Sequence, residues 1–156
     1  MQLELAQMLS TAYHIVSRNF NKNKIYKPTH ENHPYSKWVR SGKKQFVNTL
    51  NLLEASHKEY QYRFNKPDSY QKIQEIIEYI KHNIPKQLPD APWTNPPQII
   101  PDQYKQEDTV EAYRSYYTNE IYNFASWTKR VTPEWYCKGR FLLFNKELKE
   151  IRKGLK

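Results

Sequence analysis

Apolar residues recur along this chain at steps of three and four, the spacing that gathers them on one face of an α-helix. The strongest run is 43–64, where Phe46, Leu50, Leu53, His57, Tyr60 and Phe64 follow at steps of 4, 3, 4, 3 and 4. Pro67 stops it. Asp68 or Ser69 is placed to cap a following helix, whose Ile73, Ile76, Ile77, Ile80 and Ile84 form a second stripe ending at Pro85. Upstream, Leu3, Leu5, Met8, Leu9, Ala12, Tyr13 and Val16 predict an amphipathic helix over 2–18. Residues 19–32 are polar and basic with Pro28 inside, so they read as a long loop, and a short helix follows over 35–40, before Ser41-Gly42. Further on, Asp108 and Glu111 make the start signal of a long helix. Its inner face is expected at Val110, Tyr113, Tyr117, Ile121 and Phe124, and its end near residues 127–130. Thr132-Pro133-Glu134 begins a separate short turn through Trp135. Phe144, Leu148, Ile151 and Leu155 then mark a basic amphipathic helix over 141–156. No stretch alternates with period two. The expected fold is all-α, a single-domain helical bundle.

One segment breaks the helical pattern. Pro85, Pro89, Pro92, Pro96, Pro97 and Pro101 fall within residues 85–102, a density that neither a helix nor a central strand accepts. With Trp93 and Ile99-Ile100 among them, they predict an extended strap between the third and fourth main helices. The expected organisation is a helical domain over 1–137 and a basic C-terminal helix or tail over 138–156.

Composition narrows the chemistry. The chain has 156 residues, 3 glycines and 1 cysteine. With Gly42, Gly139 and Gly154 so far apart, no dinucleotide turn, phosphate loop or nucleophile elbow can be written. Cys137 alone excludes an intramolecular disulfide or a CxxC motif. The hydrophobic share of 38% counts all 13 tyrosines, so tyrosine rings must help fill the core. No apolar run approaches a membrane span and none reads as a signal peptide.

The net charge of +9 is unevenly placed. Arg18, Lys22, Lys24, Lys27, Lys37, Arg40, Lys43 and Lys44 stand against the single acid Glu31. From Lys138 to Lys156, seven basic residues stand against Glu147 and Glu150. These blocks carry +7 and +5, which leaves −3 for the rest of the chain. Two basic segments on a mildly acidic body fit a polyanionic partner, nucleic acid or nucleotide, as well as they fit plain solvated lysines.

Polar candidates cluster where loops meet predicted helices, places where a site can be assembled from distant segments. His33 and Asp102 are the proton-transfer candidates. Arg40, Arg63, Lys105 and Arg114 are candidates to hold phosphate, and Trp38 and Tyr117 to stack on bases. Each has a plainer reading. Arg63 lies four residues after Glu59 and pairs with it on a helix, and Lys105 is equally a surface lysine. His30 and His33 have a spacing that holds a metal on one helical turn, but Pro34 argues against that turn. No metal is assigned, and the sequence names no cofactor.

Taken in order, several motifs carry a resemblance. They are Ala6-Gln7-Met8-Leu9-Ser10-Thr11-Ala12, Thr29-His30-Glu31-Asn32-His33-Pro34 with Trp38 and Arg40, and Glu59-Tyr60 with Arg63. Pro101-Asp102 with Lys105, Ala112-Tyr113-Arg114 with Tyr116-Tyr117, and Phe124-Ala125 with Trp127, Pro133 and Trp135 complete the set. The chain resembles a family of small helical proteins encoded by tailed bacteriophages, whose activity is not established. The similarity spans most of residues 6–136 and is specific as an ordered set. It implies a phage context, with the host cytoplasm as the expected location, and supplies no mechanism. Members of that family carry a segment rich in His, Cys, Asp and Lys ahead of the first helix, where this chain begins inside that helix. The resemblance thus implies a site missing one part, or a shortened chain.

The leading expectation is a phage protein that binds nucleic acid or nucleotides, with action on them as an open extension. The alternative is a non-enzymatic module that binds a host or phage protein through the strap and the C-terminal helix. A membrane-surface role for the basic tail ranks third.

Overall fold

The computed structural model describes residues 1–67 and 70–154. The caps expected at Asp68 or Ser69 and the stripe residue Leu155 lie outside the described residues. The chain is all-α: helices α1 (Gln2–Val16), α2 (Pro34–Val39), α3 (Lys43–Phe64), α4 (Gln71–His82), α5 (Thr109–Asn119) and α6 (Glu134–Gly154) are joined by loops and short 3₁₀ turns, with no strand among the described residues. It forms two compact units, Met1–Pro97 and Gln98–Lys156.

The first unit is built from the apolar stripes that the sequence shows. α1 packs on α2, α3 and α4, and α3 also packs on α2 and α4. Phe46, Leu50, Leu53 and His57 of α3 are buried, as are Ile73, Ile76, Ile77 and Ile80 of α4. They meet Leu5, Ala6, Leu9, Ala12 and Tyr13 of α1, with Ile25, Trp38, Val39 and Leu88 closing the cluster. Each fully buried aliphatic side chain contributes about 1.5–3 kcal/mol relative to solvent. The stripe runs out at the end of α3, where Phe64 is half exposed and Asn65 takes a left-handed φ of 50° that closes the helix.

Residues 83–101 contain the six prolines and no helix. Their carbonyls accept from donors fixed on helices of this unit. Lys43 N–H donates to Pro89 O at 2.9 Å, Gln45 Nε2 to Pro92 O at 2.8 Å, and Trp38 Nε1 to Thr94 O at 3.1 Å. Gly42 makes room for this approach, since a Cβ there would stand 2.5 Å from Gln45 Oε1 and 3.0 Å from Ala91 Cβ.

The second unit departs from the sequence expectation at both of its helices. α5 ends at Asn119, and the chain turns through a 3₁₀ segment, Tyr122–Phe124, before α6. Its buried positions are Ala112 and Thr118, whereas Val110, Tyr117 and Phe124 of the expected inner face are exposed. Small residues face α6 because α6 comes close: a Cβ on Gly139 would stand 2.7 Å from Thr118 Cγ2. That contact also explains why the separate turn and tail helix are one continuous helix. Gly139 sits inside it as the close-approach point rather than as a break. The expected division between 137 and 138 falls within α6. Asp108 caps α5 as expected, accepting from Val110 N and Glu111 N at 2.7 and 3.2 Å.

His57 is the one titratable group buried among these stripes in α3. It is 1% exposed, with Nδ1 bonded to Gln2 Oε1 at 2.9 Å and Nε2 without a partner. Burial pulls its pKa below the ordinary 6.5. The unfolded chain takes up this proton near pH 6.5, while the folded core holds the ring neutral to lower pH. The first unit therefore loses stability as pH falls below about 6.5. Urea midpoints at pH 7.5 and 5.5 should drop on acidification, and by less in His57→Leu. Equal drops in both proteins would remove His57 from this account.

Candidate functional site

The loop between α1 and α2 holds the first basic block, and it is anchored rather than loose. Thr11 Oγ1 donates to Thr29 O at 2.8 Å and accepts from Thr29 N at 2.9 Å. Ser10 Oγ donates to Ala6 O at 2.7 Å and accepts from Tyr26 N at 3.2 Å. The His14 ring meets Tyr26 O at 3.1 Å, and Ile25 is buried. On the α4 side, Asn21 N donates to Tyr79 Oη at 3.1 Å and Lys72 Nζ to Asn23 O at 3.0 Å. A polar loop keeps a fixed course only when its backbone groups find such partners.

This ordering has an electrostatic consequence. Arg18, Lys22, Lys24, Lys27, Lys37, Lys43 and Lys44 are exposed and Arg40 is half-buried. Among the described residues, none of these eight cations forms an ion pair with an acid. Elsewhere in the same unit, several cations are matched. Glu54 accepts from Lys58 at 2.8 Å and Lys81 at 3.1 Å, which holds its carboxyl below the usual range, and Arg63 pairs with Glu59 at 2.6 Å. Unmatched cations on a fixed backbone raise the local positive potential, because each like neighbour adds to it and no carboxylate cancels it.

Of the sequence-predicted site residues, three gather around α2. His33 is its N-cap: Nδ1 accepts from Tyr35 N at 3.3 Å, with Pro34 in the first turn. Arg40 is its C-cap, and Nη1 donates to Glu31 O at 2.8 Å, which ties the loop to the helix. Trp38, expected to stack on bases, is 8% exposed, and its indole N–H donates to Thr94 O and Oγ1 at 3.1 and 3.0 Å. It is a core and anchoring residue. Arg63 does not join them. It lies near the far end of the 22-residue α3, about 30 Å along the axis from the turn that holds Arg40.

The remaining four lie in the second unit. Asp102 is 94% exposed and bonded to Lys105 Nζ at 2.6 Å. That hydrogen bond and the lysine charge hold its carboxyl below the usual range, which makes it a weaker base than a free aspartate. Arg114 pairs with Glu111 at 2.6 Å and lies over the Trp135 ring at 5.5 Å. It lines a shallow cleft of about 170 Å³ with Gln106, Glu111, Ser115, Thr118, Trp135 and Gly139. Tyr117, also expected to stack, is partly exposed on another side of α5 and does not line that cleft. Among the described residues, no group of three or more His, Cys, Asp or Glu side chains could hold a metal ion.

Sequence reasoning missed Trp93, Gln45 and Thr94. Gln45 is polar at a position 1% exposed, and Trp93 sits 46% exposed beside Trp38. The run Pro92-Trp93-Thr94-Asn95-Pro96-Pro97 is visible in the sequence, but no pattern names its donors on α2 and α3.

No family model, no curated protein and no solved structure matches this chain.

The loop's order depends on few bonds. Thr11→Val keeps shape and removes both bonds to Thr29, leaving that backbone unpaired. A loss of about 1–3 kcal/mol in unfolding free energy is expected. Amide exchange at Thr29 and Tyr26 should accelerate while α3 amides stay protected. Unchanged exchange at Thr29 would show that the loop is held by other means.

Proposed function

We propose that this chain is a phage-encoded protein that binds nucleic acid through the basic segment Arg18–Lys44. The observation that carries the reading is the run of eight cations, all but Arg40 exposed, on an anchored backbone and without acidic partners among the described residues. Lysines that serve solubility alone tolerate acidic neighbours, as Lys58 of α3 and Lys72 and Lys81 of α4 do. A run kept clear of them costs self-repulsion, and a phosphate backbone offsets that cost by releasing counterions as it binds. Binding, rather than turnover, is what the arrangement supports. His33 is used as a helix cap, and Asp102 is paired with Lys105.

Replacing Lys22, Lys24 and Lys27 by Glu should weaken binding to a labelled oligonucleotide by at least tenfold at 50 mM salt. It should also flatten the dependence of log affinity on log salt by about 2–3, since each lost phosphate contact removes about 0.7–0.9 from the slope. The same exchange at Lys146, Lys149 and Lys153 should change both far less. An inverse result would move the site to α6, and no binding at low salt would end the reading.

A second reading, a protein-interaction module, is favoured by one feature of α6. Phe141, Phe144 and Ile151 are each more than half exposed, with Leu148 between them on the same stripe. They lie opposite the Gly139 side that packs on α5. An unpaired apolar stripe of this kind is a common protein-docking feature. It should bind the dye ANS, and Phe141→Asp with Phe144→Asp should remove at least half of the fluorescence gain. A signal unchanged by the pair would show that the stripe is covered in solution.

A further inference from the structure

We infer that Trp93 is the base-stacking platform beside the basic segment, and that the nucleic acid bound there is single-stranded. The inference rests on the polyanion reading above and adds to it the ligand's form and the residue that recognises it. Trp93 is 46% exposed, yet its backbone is held on both sides. Pro92 O accepts from Gln45 Nε2 at 2.8 Å, and Thr94 O and Oγ1 accept from Trp38 Nε1 at 3.1 and 3.0 Å. Pro92 also fixes its own φ, so little freedom remains for the chain that presents the ring. The ring meets Trp38 at 5.6 Å between centroids and 83° between planes. A perpendicular contact of this kind engages at most one face of the Trp93 ring. An exposed indole that is already ordered can stack at low entropic cost.

Its surroundings supply the charge. The two side chains that pin it, Trp38 and Gln45, are within two residues of Lys37, Arg40, Lys43 and Lys44. Lys43 also donates its amide N–H to Pro89 O at 2.9 Å, which sets the first turn of α3 against the segment that carries the ring. Phosphate-binding cations beside a held aromatic ring are the parts of a single-strand site, where bases leave the stack and lie on side chains. A duplex keeps its bases inside and offers this ring only backbone. Trp38, the sequence-level candidate for stacking, is then a positioning residue. It acts through the carbonyl of Thr94 and the edge of Trp93.

The test uses the full chain and a labelled oligo-dT against a duplex of equal length, by anisotropy at low salt with tryptophan emission followed in parallel. Trp93→Ala should lower single-strand affinity about tenfold or more. It should leave duplex affinity and the salt slope near wild type. Trp93→Phe should retain most single-strand affinity while losing the quenching of tryptophan emission that oligo-dT produces in the wild type. Far-UV circular dichroism and thermal unfolding of both variants confirm that the first unit is intact. Unchanged single-strand affinity in Trp93→Ala, or quenching that persists in Trp93→Phe, overturns the stacking role. If the Lys22, Lys24 and Lys27 exchange still weakens binding in that case, the polyanion reading stands without it. Absence of binding to either nucleic acid overturns both. An equal loss for single strand and duplex in Trp93→Ala also overturns the stacking role, because it assigns Trp93 to the shape of the basic surface.

Discussion

Two hydrogen bonds between Thr11 and Thr29 carry much of the consequence in this structure. They fasten a polar, glycine-free loop to a core helix whose other buried positions, apart from Ser10, are apolar. Without such bonds the loop would be an unstructured run of lysines whose charges spread over many conformations. With them, Ile25 enters the core and the backbone that carries the cations keeps a fixed course. The backbone thereby converts net charge, which every lysine-rich tail has, into a surface. Ser10, next to Thr11, and His14, about one turn beyond it, extend the same arrangement, so α1 presents a polar edge to the loop and an apolar face to α3 and α4.

A comparable device works at the proline-rich segment. Prolines cannot donate hydrogen bonds, so such a segment leans on its carbonyls to be held. The donors here are the indole of Trp38, the amide of Gln45 and the backbone of Lys43. They occupy α2 and the first turn of α3, next to the C-terminal part of the basic block. One region of the first unit therefore fixes both an aromatic side chain and several cations. The second unit has a different balance. Its helices meet through small residues, and aromatic rings such as Trp127, Trp135 and Tyr136 pack on one another at its edge.

How far the sequence carried this picture depends on where the forces were local. The bounds of α3 and the isoleucine face of α4 were legible because unbroken stripes at helical spacing leave one way to bury them. The N-cap at Asp108 was legible because it involves neighbours. α5 and α6 were not, because their packing face is chosen by a single close approach between Gly139 and Thr118, 21 residues apart. A break between Trp135 and Phe141 and large tyrosines read as core are both reasonable locally, and tertiary contact reversed both. The candidate site shows the same division. The basic segment was visible as charge, and Arg40 and His33 were found beside it. Arg63 was separated from them by the length of α3. Trp38, expected to be open for stacking, is buried, whereas Trp93 beside it is 46% exposed, since burial is decided by packing between distant segments.

The most direct test of the central claim is a footprint of where an oligonucleotide touches the chain. Backbone amide shifts of the full protein, followed by NMR during titration with a short single-stranded oligonucleotide, would supply it. The account predicts that the largest changes fall within Arg18–Lys44 and around Trp93, with the α6 amides beyond Gly139 little affected. Changes concentrated in α6, or spread evenly over every lysine-bearing segment, would contradict it and leave the ordered basic loop without a function.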